Sequence, residues 1–315
     1  MPVTAVIEFT FSPIAQIGPW SVRLETIALA VTVFVALLVA AGIARGTAVD
    51  LRRPPDAALP DDDGPNHLRA DDLLFIAVAA IPGAVAGGRL GYWLLHLDYY
   101  TAHQGAIFDI GQGGFELSLA VVGGTLTGAF VAALLGAPVG RWLHAAIVPL
   151  LLALAAGKAA MVLGGDGQGV PWDGNVATAY LGPGPWGSLA PMVPSHAAQA
   201  YEAFAAVIVL LLMLVLLTLG RFGRRAGGAF LAGVALWAVG RAIVASTWRD
   251  PAVVGRLNMG QVLAIGVAAG MLVLLLVHVL VLRRRPEPTA ESVAASETEA
   301  DPAGQWPDPE SRPRF

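Results

Sequence analysis

Three basic residues stand inside long apolar stretches of this sequence: Arg89, Lys158 and Arg241. Each lies roughly 15 to 17 residues after the start of its stretch, about 22–26 Å along a helix that crosses a hydrocarbon core about 30 Å thick. Long cationic side chains at such a depth can extend to the nearer membrane surface without any function. Because the three depths match, and because intramembrane cations mark functional sites by default, the pattern favours a site for an anionic lipid headgroup.

A second group of polar residues lies in the longest connection, residues 164–202, which is rich in glycine and proline. His196, Gln199 and Glu202 follow one another at intervals of three, which places them on one face of a helix. The sequence predicts that this helix has Ser195 as its N-cap. A polar face on a membrane helix is expected to point into a protein cavity.

Proton transfer at such a site needs a titratable group, and the sequence offers four. His196 has an intrinsic pKa near the physiological range. Glu25, Asp166 and Glu202 are alternatives, because burial raises the pKa of a carboxyl group towards neutrality. The chain contains no zinc-protease motif, no Gly-x-Ser-x-Gly elbow and no P-loop, so we expect neither a metal nor a cofactor.

The composition defines the setting of these residues. Of the 315 residues, 56% are apolar and 13% are charged, and the mean hydropathy is +0.66. Because an average soluble domain is about 25% charged, an ordinary soluble enzyme is excluded. The net charge of −4 leaves no large basic surface for nucleic acid. The absence of cysteine excludes disulfides and thiol nucleophiles within the chain.

Seven apolar runs are long enough to cross a membrane as helices, which predicts an all-α polytopic fold. They are Thr26–Ala44, Leu73–Leu95, Leu117–Gly140, Trp142–Leu163, Ala203–Gly220, Ala226–Ser246 and Met259–Leu282. Arginines concentrate in alternate connections between these runs. The positive-inside rule then predicts that the N-terminus is outside and the C-terminus is cytoplasmic.

The same pattern divides the chain into regions. Residues 1–25 are expected to form an outer-face segment, and residues 26–282 a seven-helix transmembrane domain. Within that domain, residues 46–71 form a cytoplasmic linker and residues 164–195 an outer loop. Residues 283–315 are rich in proline and glutamate and are expected to be a disordered cytoplasmic tail.

Several segments, taken in order, resemble one family, the prolipoprotein diacylglyceryl transferases of bacteria. The matching segments are Ile17–Arg23 (IGPWSVR), Gly87–Leu94 (GGRLGYWL), the pair Gly123-Gly124, Gly157–Trp172 (GKAAMVLGGDGQGVPW), His196–Glu202 (HAAQAYE), Gly240–Val244 (GRAIV) and Asn258–Ile265 (NMGQVLAI). The resemblance implies a multi-pass enzyme of the bacterial cytoplasmic (inner) membrane, without a cofactor. Its implied partners are phosphatidylglycerol, lipobox-containing prolipoproteins and membrane lipids, but no nucleic acid. Its implied reaction transfers the diacylglyceryl group of phosphatidylglycerol to the lipobox cysteine thiol and releases glycerol phosphate.

The resemblance also implies roles for individual residues. Arg241 matches the family's headgroup-binding arginine, Arg89 matches the arginine of its Gly-Gly-Arg-Leu-Gly-Tyr motif, and Gly169 matches a loop glycine. The implied catalytic residues are His196, Glu202, Asp166 and Arg241. The implied substrate-binding residues are Arg89, Lys158, Arg241, Gly169, Gln199, Tyr201, Glu25 and Gln261.

The sequence departs from the family pattern at several polar positions, so it resembles a divergent member. Val122 stands where the family has a histidine, Lys158 replaces an arginine, and Met161 replaces an asparagine. Glu25 and Ala245 stand where a tyrosine and an acidic residue are expected. One alternative is a catalytically degenerate paralogue that binds phosphatidylglycerol or lipoproteins without turnover. Another is a small transporter or channel, although the chain shows no internal repeat.

Overall fold

The structure is a computed structural model that describes residues 6–47, 68–108, 114–222 and 227–284. Within these residues, seven helices are long and apolar enough to cross a membrane, which confirms the predicted polytopic all-α fold. The helices are α1 (Leu24–Gly46), α2 (Ala70–Leu95), the short α3 (Leu97–Ala102), α4 (Leu117–Leu134), α5 (Val139–Gly164), α6 (Ala198–Thr218), α7 (Gly228–Val244) and α8 (Met259–Arg284).

The chain forms two compact units, residues 1–275 and 276–315. The first unit contains α1 to α7 and most of α8, and the second contains the last residues of α8. The predicted linker (46–71) and the predicted tail (283–315) lie mostly outside the described residues.

The described residues also form three short two-stranded ribbons, which the sequence did not predict. They pair β1 (Ile7–Phe9) with β4 (Thr178–Tyr180), β2 (Ile14–Ile17) with β3 (Trp20–Arg23), and β5 (Ala252–Val254) with β6 (Leu257–Asn258). The first pair is parallel and the other two are antiparallel. The first pair fastens the N-terminal segment to the long loop between α5 and α6 by backbone hydrogen bonds.

The third predicted span is too long at its end. The prediction runs to Gly140, whereas α4 ends at Leu134. Gly136 follows with a left-handed φ of 67°, a conformation that favours glycine and ends helices. Pro138 then precedes the next helix, so the two helices are separated by a tight turn.

The start of α6 also differs from the prediction. The helix begins at Ala198, and the Ser195 hydroxyl donates to the carbonyl oxygen of Val193 (3.0 Å) instead of capping the helix. His196 therefore lies in the loop before α6. The other two residues of the predicted polar face remain on the helix.

Helix α7 is the most enclosed span. In its most apolar window 61% of the residues are buried, against 11% in α1. Val234 on α7 is fully buried in one core cluster with Ile147 of α5 and Met213 of α6. Because Arg241 lies on the last turn of this central helix, the fold carries a cation into the protein interior.

Helices α2 and α4 approach each other through glycines. A Cβ atom on Gly83 would meet the carbonyl oxygen of Gly123, and a Cβ atom on Gly87 would meet that of Leu119. Small residues permit such backbone contact, which drives helix association in membranes. The glycine-rich sequence of both helices therefore encodes a tightly packed pair.

Replacing Gly83 with alanine is expected to destabilise the protein by about 1–3 kcal/mol, because the added methyl group overlaps the backbone of α4. The measurement is thermal unfolding of the purified protein in detergent. Gly128→Ala is the matched control, since a Cβ atom there would meet Cγ2 of Ile76 at an ordinary 3.5 Å. Equal melting temperatures for the two variants would contradict the close approach.

Candidate functional site

Four charged side chains meet at one end of the bundle. Arg241 on α7 donates through Nη1 to Oε2 of Glu202 (2.7 Å) and through Nη2 to Oε1 of Glu116 (3.1 Å). Lys158 on α5 approaches the same Oε2 atom of Glu202 at 2.9 Å. The resulting series Lys158–Glu202–Arg241–Glu116 alternates in charge, and we call it the ion-pair chain.

Helix ends position these side chains. Glu116 is the N-cap of α4, and its two carboxylate oxygens accept from the backbone N–H groups of Ser118 and Leu119, both at 2.8 Å. Glu202 lies near the start of α6, and the two cations lie near the ends of α5 and α7. The ion-pair chain therefore brings two helix starts and two helix ends together. Helix dipoles favour Glu116 at the start of α4 and Arg241 in the last turn of α7, because they stabilise anions at helix starts and cations at helix ends.

Three members of the ion-pair chain are enclosed by protein, whereas the Lys158 side chain is 15% exposed. The exposed fraction is 1% for Glu116, 4% for Glu202 and 5% for Arg241. The two anions balance the two cations, as buried charges require. The Nε group of Arg241 also donates to the Ser118 hydroxyl (3.0 Å), and the guanidinium carbon lies 4.6 Å from the centre of the Trp248 ring. Contacts on all three nitrogens thus fix the orientation of the guanidinium group.

Lys158 also borders a cavity of about 980 Å³ with a largely apolar wall. The cavity lies mainly among α1, α2, α4 and α5, and along α5 it extends from Val139 to Met161. That separation corresponds to roughly 33 Å of helix, which is close to the thickness of a bilayer core. The cavity therefore suits a ligand with long apolar chains, and Lys158 supplies a positive charge near one end of it.

Glu25 and Asp166 form a second polar cluster with Arg23. Nη2 of Arg23 lies 3.4 Å from Oε2 of Glu25 and 3.2 Å from Oδ2 of Asp166. This cluster is more open than the ion-pair chain, since 43% of the Arg23 side chain and 33% of the Asp166 side chain are exposed. Glu25 also lines the apolar cavity, so both clusters touch the same space.

Gln199 is buried beneath the outer loop. Its Nε2 group donates to the Tyr180 hydroxyl (3.0 Å), which in turn donates to the carbonyl oxygen of Val162 (3.0 Å). Burial raises the pKa of Tyr180 to about 12, so the hydroxyl keeps the proton that it donates. The Oε1 atom of Gln199 is buried and has no hydrogen-bond partner among the described residues.

His196 lies in the loop before α6 and contacts two other predicted site residues, Gly169 in the same loop and Tyr201 on α6. Its ring stacks on Trp172 with the centroids 4.3 Å apart, and the Tyr201 ring meets it edge-on at 6.1 Å. The backbone N–H of Gly169 donates to the carbonyl oxygen of His196 (2.8 Å). A Cβ atom on Gly169 would meet the carbonyl oxygen of Thr247, so the loop can approach the end of α7 only with glycine at this position.

Arg89 makes a separate set of contacts. Its guanidinium group donates to the carbonyl oxygens of Ala106 (2.6 Å) and Gly114 (3.4 Å). The same group lies over the rings of Tyr92 and Tyr100, at 5.7 and 5.5 Å from their centroids. These contacts tie the segment after α2 to the bundle. The carboxylate of Glu202 thus contacts the other two intramembrane cations, Lys158 and Arg241, whereas Arg89 lies in a different environment.

Gln261 lies at the start of α8. Its Oε1 atom accepts from the backbone N–H of Asn258 (3.1 Å), and Oδ1 of Asn258 accepts from the backbone N–H of Gln261 (2.8 Å). This reciprocal pair caps the helix in the manner of a capping box. Nε2 of Gln261 also donates to the carbonyl oxygen of Ala242 (3.3 Å), next to Arg241. A substrate-binding role for Gln261 stays a prediction.

Glu116, Ser118 and Arg23 belong to the two polar clusters but were not predicted from the sequence. A signal for Glu116 was present, because an acidic residue stands directly before a long apolar run, where helices are capped. That signal predicts a helix start, but it does not predict the contact with Arg241.

The fold and the site together define a polytopic membrane protein in which a buried ion-pair chain borders a large apolar cavity. The chain belongs to the prolipoprotein diacylglyceryl transferase family, since the sequence profile described as "Prolipoprotein diacylglyceryl transferase" matches residues 13–277. This match confirms the resemblance found in the sequence.

Individual relatives share shorter segments with the chain. Three phosphatidylglycerol–prolipoprotein diacylglyceryl transferases of Streptococcus pneumoniae, from strain Hungary19A-6, serotype 19F strain G54 and strain ATCC 700669 / Spain 23F-1, are each 32% identical to it over 120 residues. The matched segment covers 38% of this chain and 37% of each relative.

Proposed function

We propose that this protein transfers the diacylglyceryl group of phosphatidylglycerol to the lipobox cysteine thiol of a prolipoprotein and releases glycerol phosphate. One observation carries the proposal: Lys158 belongs both to the buried ion-pair chain and to the wall of the apolar cavity. A lipid with its acyl chains in the cavity would present its phosphate to this cation. Family membership and the names of the relatives support the same reaction class.

The proposed reaction adds negative charge to the phosphate group. The thiol loses a proton, the resulting thiolate attacks the glyceryl carbon, and a sulfur–carbon bond forms. The bond between that carbon and the phosphate oxygen breaks. The phosphate changes from a diester with one negative charge to a monoester that leaves with added negative charge. Cations in a site that excludes water stabilise this added charge strongly.

Each residue of the site has a separate role in the proposed reaction. Lys158 and Arg241 bind the phosphate, and Glu202 holds the two cations side by side. Proton removal falls to one of the four titratable candidates, which are His196, Glu25, Asp166 and Glu202. The other predicted substrate-binding residues are Arg89, Gly169, Gln199, Tyr201, Glu25 and Gln261.

The proposed setting is the cytoplasmic membrane of a bacterium, with the ion-pair chain towards the outer face. The distribution of arginines supports an orientation with the N-terminus outside and the C-terminus in the cytoplasm. Residues 1–25 and the loop 164–195 then lie at the outer face, where secreted precursors emerge. Phosphatidylglycerol, lipobox-containing prolipoproteins and other membrane lipids are the proposed partners.

A second candidate function is lipid or lipoprotein binding without turnover. The favouring observation is Val122, which packs against the hydrophobic core where the family pattern has a titratable histidine. This candidate keeps the cavity and the cations but supplies no group for proton removal at that position.

Complementation tests the proposal in cells. A bacterial strain depleted of its own diacylglyceryl transferase receives the wild-type chain or its Arg241→Ala variant, with membrane insertion verified for both. We expect growth and diacylglyceryl-modified lipoprotein only in the depleted cells that carry the wild-type chain. Failure of the inserted wild-type protein to modify any lipoprotein, together with retained phosphatidylglycerol binding, would favour the second candidate.

A further inference from the structure

Glu116 occupies an unusual position for a helix cap. Its backbone N–H donates to the carbonyl oxygen of Gly88 on α2 (2.8 Å), and Gly91 on the same helix lies against its side chain. With 1% of its surface exposed, the carboxylate is held from the α2 side as well as by α4. From this fixed position it reaches Arg241.

We propose that Glu116 is a positioning residue that orients the guanidinium group of Arg241 and thereby sets the geometry of the ion-pair chain. For its effect on turnover the proposal rests on the transferase function proposed above. Glu116 does not border the cavity, whereas Lys158 does. Glu116 therefore acts on the lipid indirectly, through Arg241 and the carboxylate of Glu202 that Arg241 shares with Lys158.

The length of the Glu116 side chain distinguishes a positioning role from a role as a helix cap alone. Aspartate, asparagine and serine are the favoured N-cap residues, so a cap alone needs only a short side chain. The longer side chain of Glu116 lets Oε1 accept from the Ser118 backbone N–H and from Nη2 of Arg241 at the same time. The extra methylene therefore serves the second contact.

The shared carboxylate of Glu202 explains how Glu116 affects the cavity. Its Oε2 atom contacts both Lys158 and Arg241. Without Glu116 the guanidinium group has lost one of its two carboxylate partners, and a single anion must serve two cations. Arg241 then reorients around Glu202, and the position of the Lys158 ammonium group changes with it.

Glu116→Asp tests this proposal, because aspartate keeps the cap of α4 but is too short to reach Arg241. We expect a melting temperature close to that of the wild type and transfer at least about tenfold slower. Glu8→Asp, at an exposed position on β1, is the matched control and is expected to behave as the wild type. Full activity of Glu116→Asp would identify Glu116 as a cap only and would overturn the proposal.

A double variant tests whether Glu116 acts through Arg241. If it does, adding Glu116→Asp to Arg241→Ala causes no further loss of transfer, because the group that it orients is already absent. Multiplied losses would show an independent role and would contradict the proposal.

A third readout needs no turnover. Lys158 is the only lysine of the chain, so labelling with lysine carrying ¹³C at Cε gives one side-chain signal in NMR spectra of the full-length protein. Glu116→Asp is expected to shift this signal, whereas Glu8→Asp leaves it unchanged. An unchanged signal in Glu116→Asp would contradict the proposal. If the wild type transfers nothing, the proposed function fails, but the lysine signal still decides the role of Glu116.

Discussion

Replacing Arg241 with alanine is expected to slow diacylglyceryl transfer by roughly 100- to 1,000-fold, the usual effect of removing one donor that stabilises transition-state charge. Arg241 lies on the central helix α7 and donates to both anions, Glu202 and Glu116. Its loss removes a positive charge from the place where, in the proposed reaction, the phosphate gains negative charge. Initial rates with phosphatidylglycerol and a lipobox peptide measure the effect.

The same variant is expected to be less stable by about 3–5 kcal/mol, because it leaves a buried carboxylate without its partner. Arg241→Lys separates charge from geometry: it keeps a cation but cannot hold three acceptors in one plane. We expect its rate to fall between those of Arg241→Ala and the wild type. Arg256→Ala, at the exposed turn between β5 and β6, is the matched control. If Arg241→Ala transferred lipid as fast as this control, Arg241 would have no part in the reaction.

The second large effect is expected at Lys158. Lys158→Met keeps the approximate length of the side chain but removes its charge from the cavity wall, and we expect roughly 100-fold slower transfer. Lys158→Arg is expected to preserve or raise the rate, because a guanidinium group binds a phosphate through two parallel hydrogen bonds. Both rates are compared with the wild type at several phosphatidylglycerol concentrations.

Leu214→Met provides the control for a methionine placed within a spanning helix, since it lies on the exposed surface of α6. It is expected to leave transfer and phosphatidylglycerol binding unchanged. Wild-type activity in Lys158→Met would show that the phosphate does not contact this cation. Loss of activity in both Lys158→Met and Lys158→Arg would instead indicate that only an ammonium group fits beside Glu202.

The sequence predicted the elements of the fold because long apolar runs and isolated internal charges are local signals. The seven helices, and the choice of Lys158, Glu202 and Arg241 as candidate site residues, follow from such signals. The depth of a charge can be read from its distance along the run, but the direction in which it points depends on how each helix is rotated. For this reason Arg89, predicted at the same depth, lies in a different environment.

Contacts between distant segments could not be predicted from one sequence. Glu116 and Arg241 are separated by 125 positions, and only the tertiary fold brings them together. Ala245 stands where the family pattern has an acidic residue near this arginine. In the structure, Glu116 at the start of α4 provides a carboxylate beside this arginine instead. Short ribbons such as β1 with β4 were missed for the same reason, since three residues carry too little periodicity to be recognised.

The most direct test of the central claim is transfer by the purified protein in vesicles that contain phosphatidylglycerol with ¹⁴C in its acyl chains and ³H in its headgroup glycerol. A lipobox peptide is the acceptor, and a peptide with serine in place of the cysteine is the control. We expect ¹⁴C on the cysteine peptide alone and release of ³H as glycerol phosphate in equal amount. A folded protein that binds phosphatidylglycerol but transfers no ¹⁴C to the cysteine peptide would contradict this claim.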